Sequence, residues 1–179
     1  FALTEEAVED NLYDKISTRY TKALARSMAN TKQVKGSNVL NNSTTGGSTA
    51  GGDGVALLSA AHPTLSGNQT NLLGTAADLN ETSLEAALIE ISQMKDERGL
   101  KIALRGMKMI LPVNLQFVAE RLLNSAGRVG TADNDINAIR SLGMVPEGYV
   151  INNFLVDTDA WYVKTDAPNG LKHFTRAPI

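Results

Sequence analysis

The run Met107-Lys108-Met109-Ile110-Leu111-Pro112-Val113 passes straight into Asn114-Leu115-Gln116-Phe117-Val118-Ala119-Glu120-Arg121-Leu122-Leu123-Asn124-Ser125, and no other stretch constrains the fold as much. Its first part is a short apolar run of the length found in buried strands. Pro112 has no N–H to give to a ladder, so the strand is expected to end about there. Asn114 is a good N-cap, and Leu115, Val118, Ala119, Leu122 and Leu123 then recur at helical spacing on one face. Gly127 is expected to stop that helix. A strand that feeds a helix with almost no loop makes an α/β-type core. No catalytic motif lies on the turn.

A second strong signal precedes it. From residue 4 to about 35, Leu12, Ile16, Tyr20, Ala23, Leu24 and Met28 recur every three or four positions, as an amphipathic helix requires. Charge is sorted along this segment. Glu5, Glu6, Glu9, Asp10 and Asp14 come first, and Lys15, Arg19, Lys22, Arg26, Lys32 and Lys35 follow. Acids at the start and bases at the end complement the helix dipole. Gly36 is expected to end a helix roughly 45 Å long, which is long for a chain of this size. Its narrow apolar stripe fits either a solvated helix laid over a core or a helix that spans the subunit and contacts neighbours.

Residues 41–54 are rich in Asn, Ser, Thr and Gly and read as a flexible exposed loop. Its glycines do not form a phosphate cradle. No Gly-Lys-Ser/Thr follows, and Gly52-Asp53-Gly54 lacks the third glycine of a dinucleotide fingerprint. Gly46-Gly47-Ser48-Thr49-Ala50 has no strand before it, so it is a poor nucleophile elbow. Irregular chain is expected on to Asn80. A helix follows, capped by Asp78, Asn80 or Ser83, with Leu84, Ala87, Leu88, Ile91 and Met94 as its apolar face.

Leu100-Lys101-Ile102-Ala103-Leu104 reads as a short alternating strand. The segment Asp133-Asn134-Asp135-Ile136-Asn137 resembles a calcium loop only superficially. Ala138 and Met144 stand where glycine and glutamate are required, so side chains bonding their own backbone are the better reading. The tail is expected to hold three antiparallel strands, at residues 149–156, 160–164 and 171–176, with Asp166-Ala167-Pro168-Asn169-Gly170 as a turn.

Chemistry is sparse. The chain has no cysteine, hence no disulfide or thiolate site. Its two histidines, His62 and His173, lie in different elements with no ligand partners at metal spacing. Trp161 is expected to anchor a core rather than to offer a binding platform. No catalytic, cofactor-binding or metal-binding residue is assigned, and no cofactor is expected. No apolar run nears the ~20 residues that span a bilayer. A net charge of −2 without a dense basic patch argues against tight phosphate binding. The residues alone describe a soluble mixed α/β module without a credible active site, which favours a structural or interaction protein over an enzyme.

The ordered set of motifs goes further. Gly52-Asp53-Gly54-Val55-Ala56-Leu57-Leu58-Ser59-Ala60-Ala61-His62-Pro63 is similar to a stretch of the major capsid proteins of tailed bacteriophages. The resemblance continues through Asp78-Leu79-Asn80 to Ser83-Leu84-Glu85, then Ile110-Leu111-Pro112-Val113 to Leu122-Leu123-Asn124-Ser125. Residues 133–137, Phe154-Leu155-Val156-Asp157-Thr158-Asp159-Ala160-Trp161 and residues 170–176 follow in the same order. Glu9-Asp10-Asn11 resembles the start of a spine helix.

This resemblance implies an α+β subunit of the capsid fold named for phage Hong Kong 97. The fold has a long spine helix, a mixed α/β axial domain and antiparallel C-terminal strands. Residues 1–80 would be the peripheral part, with the spine helix at about 4–35 and the flexible loop at about 41–54. Residues 81–147 would be axial and residues 148–179 the antiparallel strands. The chain, which begins with Phe1, reads as an internal piece of a longer capsid protein.

The implied function is structural. Hexamers and pentamers of the chain would form an icosahedral head in the virion, assembled in the host cytoplasm around double-stranded DNA held without sequence specificity. Scaffold, portal and decoration proteins are possible partners, and no membrane is involved. The alternatives are an encapsulin-like compartment shell, a hydrolase or a surface binding module.

Overall fold

In a computed structural model, the chain is described over residues 4–10, 13–46, 50–128, 135–168 and 170–174. Helices α1 (Glu5–Glu9), α2 (Tyr13–Asn41) and α3 (Glu81–Gln93) come first. Strand β1 (Gly106–Leu111), helices α4 (Gln116–Asn124) and α5 (Ala138–Ser141), and strands β2 (Tyr149–Ile151) and β3 (Tyr162–Thr165) follow. The architecture is α+β.

Strand β1 is the centre of a three-stranded sheet of order β2-β1-β3. Met109 and Leu111 are fully buried, and Pro112 ends the strand as its missing N–H requires. The chain then turns through a 3-10 turn at Val113–Leu115 into α4. Asn114 lies inside that turn and is not an N-cap; Leu115 holds the position before α4 and makes no side-chain cap. Helix α4 ends at Asn124, before Gly127, which bridges to Ile136 instead.

The core joins Leu84 and Leu88 of α3, Met109 and Leu111 of β1, Ala119, Leu122 and Leu123 of α4, and Ile139 of α5. Tyr149, Ile151, Trp161 and Val163 pack against it from the tail, so the core runs across residue 148. Trp161 keeps its ring on this core while its Nε1 donates to Ala77 O at 3.0 Å. Helix α3 starts at Asn80, whose side chain accepts from Ser83 N at 2.9 Å while Ser83 Oγ accepts from Asn80 N at 3.0 Å. This reciprocal cap decides among the three candidates. Helix α3 approaches β1 closely at Gly106, where an added Cβ would lie 2.6 Å from Leu88 Cδ2 and 3.1 Å from Val163 Cγ1.

The tail is not an antiparallel set. Tyr149 pairs with Met109 in parallel register, because α4 and α5 carry the chain back to the end where β1 began. Only β3 is antiparallel to β1, with Tyr162 opposite Ile110 and Lys164 opposite Lys108. The expected first strand stops at Ile151; Asn152 N still donates to Leu111 O at 2.8 Å, and the chain then turns at residues 153–154, where Phe154 N donates to Asn152 Oδ1 at 3.0 Å. Residues 171–174 form no strand, and 175–176 lie outside the described residues.

The apolar–polar alternation of residues 100–104 does not form a strand either. Ala103 takes a left-handed φ of 53°, and the only pairing is the Lys95–Lys101 bridge. Gly36 does not end the long helix. Helix α2 runs five residues further because Ser37 to Asn41 are held by tertiary bonds that outweigh glycine's low propensity.

Finally, residue 41 belongs to α2, and residues 50–56 close a hydrogen-bonded turn, with Gly51 N to Val55 O at 2.8 Å. Residues 47–49 of the expected loop lie outside the described residues, as do residues 133 and 134 of the Asp/Asn segment.

Candidate interaction surface

Helix α2 has 29 residues and is therefore about 44 Å long. Its last turns are bonded to the body. Ser37, buried, shares hydrogen bonds with the Asn152 amide, at 3.1 Å to Oδ1 and 3.0 Å from Nδ2. Asn41 Nδ2 donates to Phe154 O at 3.0 Å, and Asn41 Oδ1 accepts from Val156 N at 3.1 Å. Tyr162 OH donates to Leu40 O at 3.1 Å, and Leu58 N donates to Ser43 O at 2.8 Å. These contacts fix the base of the helix on the segment after β2 and on β3.

Every residue from 18 to 36 is exposed. Leu24 is 51% exposed and Met28 43%, at a step of four that puts both on one face with Tyr20. Arg19, Lys22 and Arg26 share a different face. Among the described residues, none of these three bases and none of Glu5, Glu6, Glu9 and Asp10 makes an ion pair.

The segment after α2 is exposed but fastened to the rest of the chain. His62 and Gln69 exchange backbone bonds at 2.8 and 2.9 Å. Gln69 Nε2 donates to Asp96 O at 2.8 Å, and Ser66 N donates to Glu97 O at 3.1 Å. Inside it, His62 Nδ1 lies 2.7 Å from Asp53 Oδ2. The His62 hydrogen bond, with help from Val55 N–H, holds the Asp53 carboxyl below its ordinary value. His62 Nε2 is sequestered without a partner. His173 lies in the exposed segment 171–174.

Around the sheet the charges compensate each other. Lys108 and Lys164 are paired in the ladder, and Glu147 sits between them, 3.0 Å from Lys108 Nζ and 3.8 Å from Lys164 Nζ. That pair lowers the Glu147 carboxyl, Lys108 foremost. Glu120 accepts from Tyr149 OH at 3.0 Å and pushes the phenol up. Arg128 Nε meets Glu81 Oε2 at 3.0 Å.

A depression of about 450 Å³ between α4, α5 and β2 is lined by Leu123, Ile139, Val145 and Tyr149, with Arg140 and the already paired Glu147. Among the described residues no three His, Asp or Glu groups are arranged to hold a metal ion. No described helix is long and apolar enough to cross a membrane.

Sequence reasoning found the charge sorting along the long helix. It missed the anchoring side chains Ser37, Asn41 and Asn152, which carry no local signal because their partners are 113–115 residues away.

A family model described as phage capsid protein matches residues 1–178. No curated protein and no solved structure matches.

Proposed function

The chain belongs to the phage capsid protein family, and from that premise we propose that it is a major capsid subunit with the Hong Kong 97-type organisation. A family of capsid proteins is a structural family of the virion, and its members work by assembling into a multimeric shell. Copies of this chain associate as hexamers and pentamers and close an icosahedral shell around double-stranded DNA in the host cytoplasm. Helix α2 is the spine, residues 1–80 are peripheral, and the core built on α3, β1 and α4 is axial. Scaffold, portal and decoration proteins are its further partners.

The observation that carries this reading is α2 itself. It is a long helix bonded to its own subunit at its last turns, with every residue from 18 to 36 exposed. A subunit that closes a shell needs surface that stays unsatisfied until neighbours arrive. Individually weak contacts, repeated by symmetry, then sum to a stable particle while still allowing errors to be reversed.

The test is electron microscopy of the complete gene product, with nuclease treatment before nucleic acid is extracted. Closed polyhedral particles with protected double-stranded DNA are expected. Closed particles holding protein cargo and no nucleic acid would move the reading to a compartment shell. A product that stays small and monodisperse under every assembly condition overturns it.

A further inference from the structure

Helix α2 carries six bases, Lys15, Arg19, Lys22, Arg26, Lys32 and Lys35, against one acid, Asp14. The preceding segment, residues 4–10, carries four acids and no base. Both lobes are exposed at the positions described, and among the described residues Glu5, Glu6, Glu9, Arg19, Lys22 and Arg26 make no ion pair. Glu5, Glu6 and Glu9 lie on α1 and Arg19, Lys22 and Arg26 on α2, and no ion pair joins these two sets within one copy. Two unpaired lobes of opposite sign on one chain are each other's complement between copies.

We propose that the face of α2 formed by Arg19, Lys22 and Arg26 receives α1 of a second copy, through Glu5, Glu6 and Glu9. This deepens the capsid reading and rests on it, because that reading supplies the second copy.

The apolar positions agree with the charges. Val8, 52% exposed, sits on the same side of α1 as Glu5. Ala23, one turn from Arg19 and from Arg26, leaves room for it at the edge of the basic face. The contact is head-to-tail, since one surface of a copy meets a different surface of the next. A contact of that kind builds a ring when its rotation closes.

Nucleic-acid phosphate is the weaker occupant. Over residues 1–35 five acids nearly cancel six bases, so the segment has little net attraction for a polyanion, whereas its split into two lobes suits a copy of itself.

The experiment is a charge swap in the complete capsid protein, read as particle yield by sedimentation and electron microscopy. One variant carries Glu5→Lys, Glu6→Lys and Glu9→Lys; a second carries Arg19→Glu, Lys22→Glu and Arg26→Glu; a third carries all six. Either triple reversal is expected to lower particle yield about tenfold or more, since it turns three attractions into three repulsions at every copy of the contact. The sixfold variant, with both lobes exchanged, is expected to recover most of the yield. An equimolar mixture of the two triple variants should recover part of the yield, because alternating copies restore opposite charge at every contact of an even-membered ring and leave one like-charge contact in an odd-membered one.

Circular dichroism separates loss of the helix from loss of the contact. Carbodiimide coupling in wild-type particles made from mixed isotope-labelled copies supplies an independent readout. It should join Lys22 to Glu5, Glu6 or Glu9 between copies.

A wild type that forms particles indifferent to both reversals overturns this contact and leaves the capsid reading standing. A wild type that forms no particles overturns that reading as well. A basic reversal that lowers retained DNA, with the acidic reversal silent and the sixfold variant unrecovered, overturns the contact in favour of phosphate.

Discussion

Replacing Asn41 by Ala should release α2 from the body without unfolding the body. The Asn41 side chain makes two bonds across the joint, to Phe154 O at 3.0 Å and from Val156 N at 3.1 Å. Each neutral hydrogen bond contributes about 0.5–1.5 kcal/mol net, so the pair contributes about 1–3 kcal/mol. Two effects pull the cost down. Val156 is exposed and Phe154 half-buried, so water takes over their freed groups. Alanine is also the better helix former by roughly 0.5 kcal/mol.

The net loss is about 1–2 kcal/mol, or roughly 5–30-fold more frequent opening of the joint. Native-state hydrogen exchange reads this directly. Amides at residues 40–42 and at Val156 should exchange faster by that factor, while those of Met109 and Ile110 in β1 keep their protection. Asn38→Ala, which removes no bond to the body but takes away the oxygen that Asn41 Nδ2 meets at 3.3 Å, should speed exchange at residues 40–42 and Val156 less than Asn41→Ala does. If β1 loses protection in step with residues 40–42, the helix and body open as one unit and the one-ended anchor is wrong. If neither changes, these two bonds do not hold the helix.

Three further outcomes follow from the same geometry. Asn137 is buried, donates to Leu122 O at 2.7 Å and Ser125 O at 3.2 Å, and caps α5 by accepting from Arg140 N. Asn137→Ala should cost about 2–4 kcal/mol in urea unfolding, from the lost cap and two stranded carbonyls. Asn137→Asp keeps the cap but turns an anion toward those carbonyls, which raises its folded pKa above the unfolded one. Its penalty is therefore full at neutral pH and relieved as pH falls through the folded value; a penalty that grows on acidification refutes the assignment.

Gly106→Ala should lower stability by about 1–3 kcal/mol, because its Cβ must displace the buried Leu88 or the adjoining Val163; an unchanged melting temperature would show that α3 can back away. The Asp53–His62 clasp lowers the Asp53 carboxyl from 3.8, so its contribution is complete above that pH and lost as pH falls through the folded value. Acid release of residues 53–62, followed by hydrogen exchange, should vanish in Asp53→Asn, and an identical profile there would place the acid sensitivity elsewhere.

What the sequence disclosed follows from the range over which each cause acts. Strand β1 and helix α3 were legible because an apolar run, a proline and a 3.6-residue period are written in adjacent positions. The parallel placement of β2 was not, because a three-residue strand has no pattern of its own and takes its direction from the helices that deliver it. The alternation at residues 100–104 gave a wrong strand because a single left-handed residue, Ala103, breaks the ladder. Gly36 misled for the opposite reason, since a local helix breaker was outweighed by bonds from Asn152 and Phe154 far along the chain. Asn137 looked like one polar loop residue among several, and nothing local marks it as the buried link between α4 and α5.

The exposed length of α2 also explains how such a helix can exist before assembly. Isolated helices shorter than about 12–15 residues are marginal in water, because nucleation must be repaid by propagation. Helix α2 is twice that length, and its base is already nucleated on the body by Ser37 and Asn41. Eleven of its 19 exposed residues from 18 to 36 are Ala, Arg, Lys, Leu, Met or Gln, which cost least in a helix, and four are β-branched. The sequence therefore sustains the helix by propensity where it lacks packing. It also keeps Leu24, Met28 and the basic face uncovered for contacts outside the subunit. A chain selected only for the stability of a lone monomer would fold that apolar stripe onto its own core. Leaving it out is intelligible when the buried state is the assembled one, and the missing packing energy then contributes to closure of the shell rather than to folding of the subunit.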